Sequence, residues 1–210
     1  MRHLLLLFAF TLMVSSCKTK KIIPEVDTYS IEIEKHRDEY KQGFLADERS
    51  PLREADFEFM NFYAPDEAFR CNCTFVSTPN AKPFEMSTVS GNVKIFSTYG
   101  VASCPIAGKQ IQVNIYSNKQ MQAMPGYRDY LFIPYKDLTS GDTTYGGGRY
   151  IDLRMGDIRD DSVIIDFNKC YNPWCMYSDG YNCPIPPIEN HLEVAIEAGE
   201  MIWTGEKKKG

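Results

Sequence analysis

Arg149 and the residues just before it are the first place to look for chemistry. Thr139, Ser140, Gly141, Thr143, Thr144, Gly146, Gly147 and Gly148 lead into Arg149-Tyr150. Glycines let backbone N–H groups converge, hydroxyls add donors, and an arginine supplies a planar fork of five. That combination suits a carboxylate, phosphate or sulfate. No Gly-Lys-Ser/Thr follows and no helix pattern follows, which excludes a Walker loop and a dinucleotide fingerprint. The structural alternative is a turn whose Arg149 pairs with an acid such as Asp137 or Asp152. On the ligand reading, Asp137, Ser140, Thr144, Tyr145, Arg149 and Tyr150 form one wall of a pocket. Asn168, Asn172, Tyr177, Glu189 and Asn190, from a stretch stiffened by Pro173, Pro184, Pro186 and Pro187, form the other.

Catalysis finds less support. Cys175 and Cys183 could close a disulfide loop, stay as buried thiols, or supply a nucleophile, for which they are weak candidates. With Cys170 and His191 they could hold zinc, but the spacing lacks a paired CxxC. No metal and no cofactor is expected. His36 lies on the apolar stripe of a helix and His191 at the start of a strand-like run, places that suit a packing and a surface residue respectively. There is no Gly-x-Ser-x-Gly elbow. Asp137, Asp152, Asp166, Glu189 and Glu200 could include an acid/base pair, but the sequence sets no distances between them.

The N-terminus reads as a targeting segment. Leu4 to Val14 is apolar and too short for a comfortable membrane span. It ends in Val14-Ser15-Ser16-Cys17, a lipobox-like pattern in which the cysteine is lipidated and becomes the new N-terminus. Residues 1–16 are then a signal peptide and 17–27 a tether from lipidated Cys17. Acyl chains contribute about 0.8 kcal/mol per buried methylene, so several give a stable membrane anchor. Lys18 is not the Asp that would resemble an inner-membrane retention signal. The expected location is the bacterial cell envelope, at the outer membrane rather than the inner.

Removing residues 1–16 takes away Arg2 and leaves 22 Lys+Arg against 28 Asp+Glu. This mild acidity argues against nucleic acid as a partner. Besides Cys17 there are six cysteines, which in an oxidising compartment allow 15 full pairings. Cys71 and Cys73 share a strand face with Phe69 and Phe75 and read as small core residues.

These residues must be positioned by strands. Tyr29, Ile33, His36, Tyr40 and Phe44 recur at spacings of three and four, predicting one N-terminal amphipathic helix from about Thr28 to Ala46. Thereafter short runs alternate or are β-branched. They are Phe69–Phe75, Phe84–Met86, Val93–Ala102, Gln110–Ile115, Tyr130–Tyr135, Arg149–Leu153, Val163–Phe167 and Leu192–Ala198. No helices alternate with them. The expected fold is mainly β, an antiparallel sandwich or barrel-like sheet, in a single domain over 28–206. Residues 207–210 read as a solvated basic tail.

Several segments carry a resemblance. They include Phe132-Ile133-Pro134, Thr139-Ser140-Gly141, Thr144-Tyr145-Gly146-x-Gly148-Arg149-Tyr150, Tyr171-Asn172-Pro173, Cys175-x-Tyr177, Cys183-Pro184-x-Pro186-Pro187, Glu189-Asn190-x-Leu192 and Ala198-Gly199-Glu200. In these the chain resembles bacterial proteins grouped as domain of unknown function 1684. The resemblance brings no activity, substrate or cofactor. It ranks residues: Arg149, Asn168, Asn172, Cys175, Tyr177, Cys183 and Asn190 match the pattern, whereas Cys170 and His191 do not, which weakens zinc. Relatives without an export signal that keep both cysteines argue against an obligatory Cys175–Cys183 disulfide. The leading expectation is a pocket for a small anionic or sugar-like ligand. The alternatives are a hydrolase or transferase in the same pocket, and a structural lipoprotein without a ligand.

Overall fold

The computed structural model describes residues 27–209. The signal peptide, Cys17 and most of the tether lie outside these residues. Helix α1 spans Thr28–Ala46, with the Asp27 carboxylate accepting from the Ser30 N–H at 3.1 Å as its N-cap. It buries Tyr29, Ile33, Arg37 and Phe44, close to the expected stripe. No helix among the described residues is long and apolar enough to cross a membrane.

Eight strands follow: β1 Arg70–Ser77, β2 Phe84–Ser87, β3 Val93–Ile106, β4 Lys109–Ser117, β5 Tyr130–Tyr135, β6 Arg149–Arg154, β7 Ile158–Arg159 and β8 Ser162–Asp166. All pairings are antiparallel, in the order β6-β5-β4-β3-β1-β8-β7, with β2 beside the start of β3. The result is one open, curled sheet and not two packed sheets. The β3–β4 hairpin turns through Ala107-Gly108, both at positive φ, the geometry that matches strand twist.

Alternation sorts the side chains onto two faces. The inner face carries Cys73, Ala102, Val113, Ile133, Leu153 and Ile165, among others. Cys73 and Cys104, on neighbouring strands, are joined by a disulfide. Each fully buried Ile, Leu or Val contributes about 1.5–3 kcal/mol. The outer face is aromatic over β3 to β6, with Phe96, Tyr116, Tyr130, Phe132 and Tyr150. A bulge between Thr98 and Gly100 lets β3 serve both faces.

Leu192–Ala198 is not a strand. It alternates, burying Leu192, Val194, Ile196 and Ala198 against the inner face, but makes no ladder along its length. Nor is the basic end free. Lys207 pairs with Asp179 at 2.7 Å and Lys208 with Asp56, while the Lys208 N–H donates to the Tyr177 carbonyl at 2.8 Å. Two acids within reach convert a run of lysines into a docked edge.

Candidate functional site

Arg149 faces inward. Its side chain and that of Asp137 are fully buried and meet at 2.7 Å. Nη2 also donates to the Ile196 carbonyl at 2.8 Å, and Nη1 donates to the carbonyls of Ala198 and Glu200 at 2.5 and 3.2 Å. Four N–H groups are thus used inside the protein, which corrects the expectation of an anion anchor. The Asp137 carboxylate accepts in addition from the Thr139 N–H at 2.6 Å and from its hydroxyl, which meets the Thr144 hydroxyl at 2.8 Å. The turn uses its own donors too. Gly141 N–H donates to Thr144, Thr144 N–H to Thr139, and Gly148 N–H to Tyr145. Asp137 and Ser140 border a hollow of about 430 Å³, and the N–H groups of Ser140, Gly141, Asp142, Thr144 and Gly148 are bonded to carbonyls of the same turn. Tyr145 lies across Gly147, where a Cβ would come within 2.3 Å of the ring.

The asparagines also hold backbone. Asn190 donates to the carbonyls of Asn114 and Pro134 at 3.0 and 2.9 Å and accepts from the Asn114 N–H at 2.8 Å. Its amide stands in for ladder bonds between β4 and β5, which pair directly only at Tyr116 and Phe132. Asn168 joins Tyr29, Asp66 and Asp166. Asn172 donates through its amide to the Met201 carbonyl and through its N–H to the Glu200 carboxylate, both at 2.8 Å. Tyr177 and Tyr40 hydroxyls complete the Glu200 environment at 2.5 and 3.2 Å. Burial pushes this carboxyl up to about 7. Glu189 is exposed and stands apart from these networks.

Cys175 and Cys183 are bonded to each other. The disulfide removes the thiol nucleophile and two of the four zinc ligands considered. Cys170 is buried in the inner core. Cys71 is a buried thiol whose pKa burial raises to about 11, far from the range of a reactive thiolate.

A different group of residues makes a concave surface. On the outer face, between β3–β6 and the Tyr171–Pro184 segment, lies a cleft of about 390 Å³. Phe96, Phe132, Tyr150, Tyr171, Trp174 and Tyr181 supply its aromatic faces. Tyr150 is fixed by its hydroxyl, which donates to the Pro184 carbonyl at 2.5 Å. Lys94 enters from β3, two residues before Phe96 and so on the same face. Burial lowers its ammonium below the usual value, and among the described residues it has no carboxylate partner. Arg49, paired with Asp47 at 2.8 Å, stands at the rim.

Comparison with known proteins places this architecture. The family described as "Protein of unknown function (DUF1684)" matches residues 55–201. The chain belongs to the DUF1684 family. No curated relative matches this DUF1684 protein. It is similar to the solution NMR structure of an uncharacterized protein of Haloarcula marismortui, at 28% identity and a TM-score of 0.64, over 83% of this chain and 94% of that one.

In this DUF1684 chain the sequence expectation and the cleft share the Tyr150, Pro173 and Cys183-Pro184 segments, while the polar residues singled out mostly lie underneath. Lys94, Phe96, Trp174 and Tyr181 were missed. Lys94 and Phe96 are two apart in a strand, a spacing that places a cation beside a ring. That was the available signal.

Proposed function

We propose that this protein is a lipid-anchored envelope domain that binds a small anionic or sugar-like ligand in the aromatic cleft. The carrying observation is Lys94, a partly buried ammonium without a carboxylate partner among the described residues, on a wall of aromatic rings. Ligand sites combine apolar and aromatic walls with a few placed polar groups, in volumes of about 300–1,000 Å³. The rings would take the flat face of a sugar or an aromatic ligand, and Lys94 its carboxylate or phosphate. The lipobox at Cys17 supports the anchored form, and Lys18 favours the outer membrane.

The test is a thermal-shift screen of the full chain in detergent against acidic glycan fragments and small aromatic or sugar carboxylates and phosphates. A ligand at 100 times its Kd should stabilise by about 2.7 kcal/mol. The stabilisation should be lost in Lys94→Gln and Trp174→Ala. A hit that stabilises Lys94→Gln as strongly as the parent would sink the reading. Cys17→Ala should release the protein from the membrane fraction.

A further inference from the structure

The outer face does not end with the aromatic cleft. Strand β6 carries Tyr150 and Asp152 on that face, since alternate residues share a side. Asp152 lines a second cleft of about 560 Å³, which reaches β8 and is bordered by His36 and Tyr40 of α1. Tyr171 lines both clefts. It is a fixed ridge between them. It exchanges both backbone hydrogen bonds with Tyr150, at 2.9 and 3.0 Å, and its hydroxyl donates to Asp152 Oδ1 at 2.6 Å. Tyr130, which lines the aromatic cleft, donates to the same oxygen at 2.8 Å. The wall of rings thus ends on a carboxylate that belongs to the next cleft.

Charge of both signs lines this second cleft. Three cations, Arg70, Arg159 and Lys169, share it with four carboxylates, among them Asp152 and Asp166. Several of these groups have bonding capacity left over among the described residues. Arg159 Nε donates to the Gly156 carbonyl at 3.2 Å, and its two terminal nitrogens have no partner. Arg70 stands opposite Asp166 in the β1–β8 ladder but forms no ion pair with it. Asp152 Oδ2 accepts from nothing. Asp166 is 7% exposed and its Oδ2 lacks a hydrogen bond, while Lys169, 3.9 Å away, is held closer by Glu32 at 2.7 Å.

A guanidinium only donates and a carboxylate only accepts, whereas a hydroxyl does both. A ligand of one charge would be repelled by half of this lining. A sugar ring with neighbouring hydroxyls meets both kinds of group at once.

We propose that the two clefts are one site for an acidic oligosaccharide. One sugar stacks in the aromatic cleft with its carboxylate at Lys94. The chain crosses Tyr171, and the hydroxyls of the next, uncharged sugar bridge Asp152 and Arg159. This rests on the aromatic cleft being a ligand site, and adds the length of the ligand and the order of its charged and neutral units.

The test combines calorimetric titration and backbone amide NMR of the full chain in detergent. The probes are glucuronic acid and oligosaccharides that alternate glucuronic acid with N-acetylglucosamine, from disaccharide to hexasaccharide. Glucuronic acid should move amides near Lys94 and Trp174 only. The tetrasaccharide should also move those of Asp152 and Arg159, and bind about tenfold more tightly or better, as joined contacts do. Arg159→Ala and Asp152→Ala should each remove that gain, whereas Lys94→Gln should weaken monosaccharide and chain alike. Arg159 is exposed, so its variant should fold even if that of Asp152 does not. The inference is overturned, with the aromatic cleft still a ligand site, if lengthening adds no affinity or if the gain survives in Arg159→Ala. Shifts confined to Asp152 and Arg159 would make the clefts separate sites and also overturn it. If neither monosaccharide nor chain moves an amide in either cleft, the glycan reading of the aromatic cleft falls with it.

Discussion

At the scale of single residues, Arg149 joins Asp137 to the carbonyls of the final inner segment. Removing one partner of a buried ion pair leaves an uncompensated charge, which costs about 3–5 kcal/mol. Arg149→Ala should therefore lower the urea midpoint by that equivalent. A double Arg149→Met, Asp137→Leu variant should recover most of the loss. Glu200 makes a second prediction. Its folded pKa, about 7, lies above the ordinary 4.5, so the folded state holds the proton more tightly than the unfolded chain. Stability is then greatest below about pH 4.5, falls as pH rises toward 7 and levels off above, by roughly 3 kcal/mol in all. Urea titrations between pH 5 and 8 should show the decline, and Glu200→Gln should flatten it. The sequence named Arg149, Asn168, Asn172 and Asn190 but not their direction. Residue type reveals hydrogen-bonding capacity; whether the partner is a ligand or a buried carbonyl depends on where distant segments such as 196–200 come to lie.

At the scale of elements, strands were legible wherever one face is buried. Tyr130–Tyr135 has the bounds its pattern predicted, and β1, β3 and β4 extend a few residues past theirs. Two residues of β7 are too few for any pattern. Leu192–Ala198 shows the limit from the other side: alternation reports a buried face, but a strand also needs a neighbour's ladder, and here Arg149 takes the carbonyls of Ile196 and Ala198. The Cys175–Cys183 disulfide shapes the loop that brings Tyr181 and Asn182 to the aromatic cleft. Closing a loop of about eight residues stabilises by roughly 2.5 kcal/mol in the chain-entropy account. Cys175→Ser with Cys183→Ser should cost about that much in a denaturant titration and weaken any ligand of the cleft. Alkylation of the native protein with a thiol reagent should leave Cys71 and Cys170 unlabelled until it is unfolded, since both are buried.

At the scale of the molecule, the curled sheet is closed on its inside by chain that comes from elsewhere in the sequence. Residues 192–198 fill the face that all the longer strands share, and Gly199, at φ +72°, turns where a Cβ would lie 2.3 Å from the Cys170 sulfur. A chain ending at Asn190 should lack a cooperative unfolding transition by circular dichroism, although it contains every strand. An antiparallel sheet of many short strands was foreseeable from strand number and spacing, but not that it stays open, nor the choice of a late segment as filler, because nothing local distinguishes that segment from a ninth strand. This arrangement sets an order of events during synthesis. Domains otherwise begin to fold from the N-terminus as they are made. Here the buried arginine waits for acceptors at Ile196, Ala198 and Glu200, so a nascent chain that has emerged only as far as β8 has its strands but not the segment that covers their inner face.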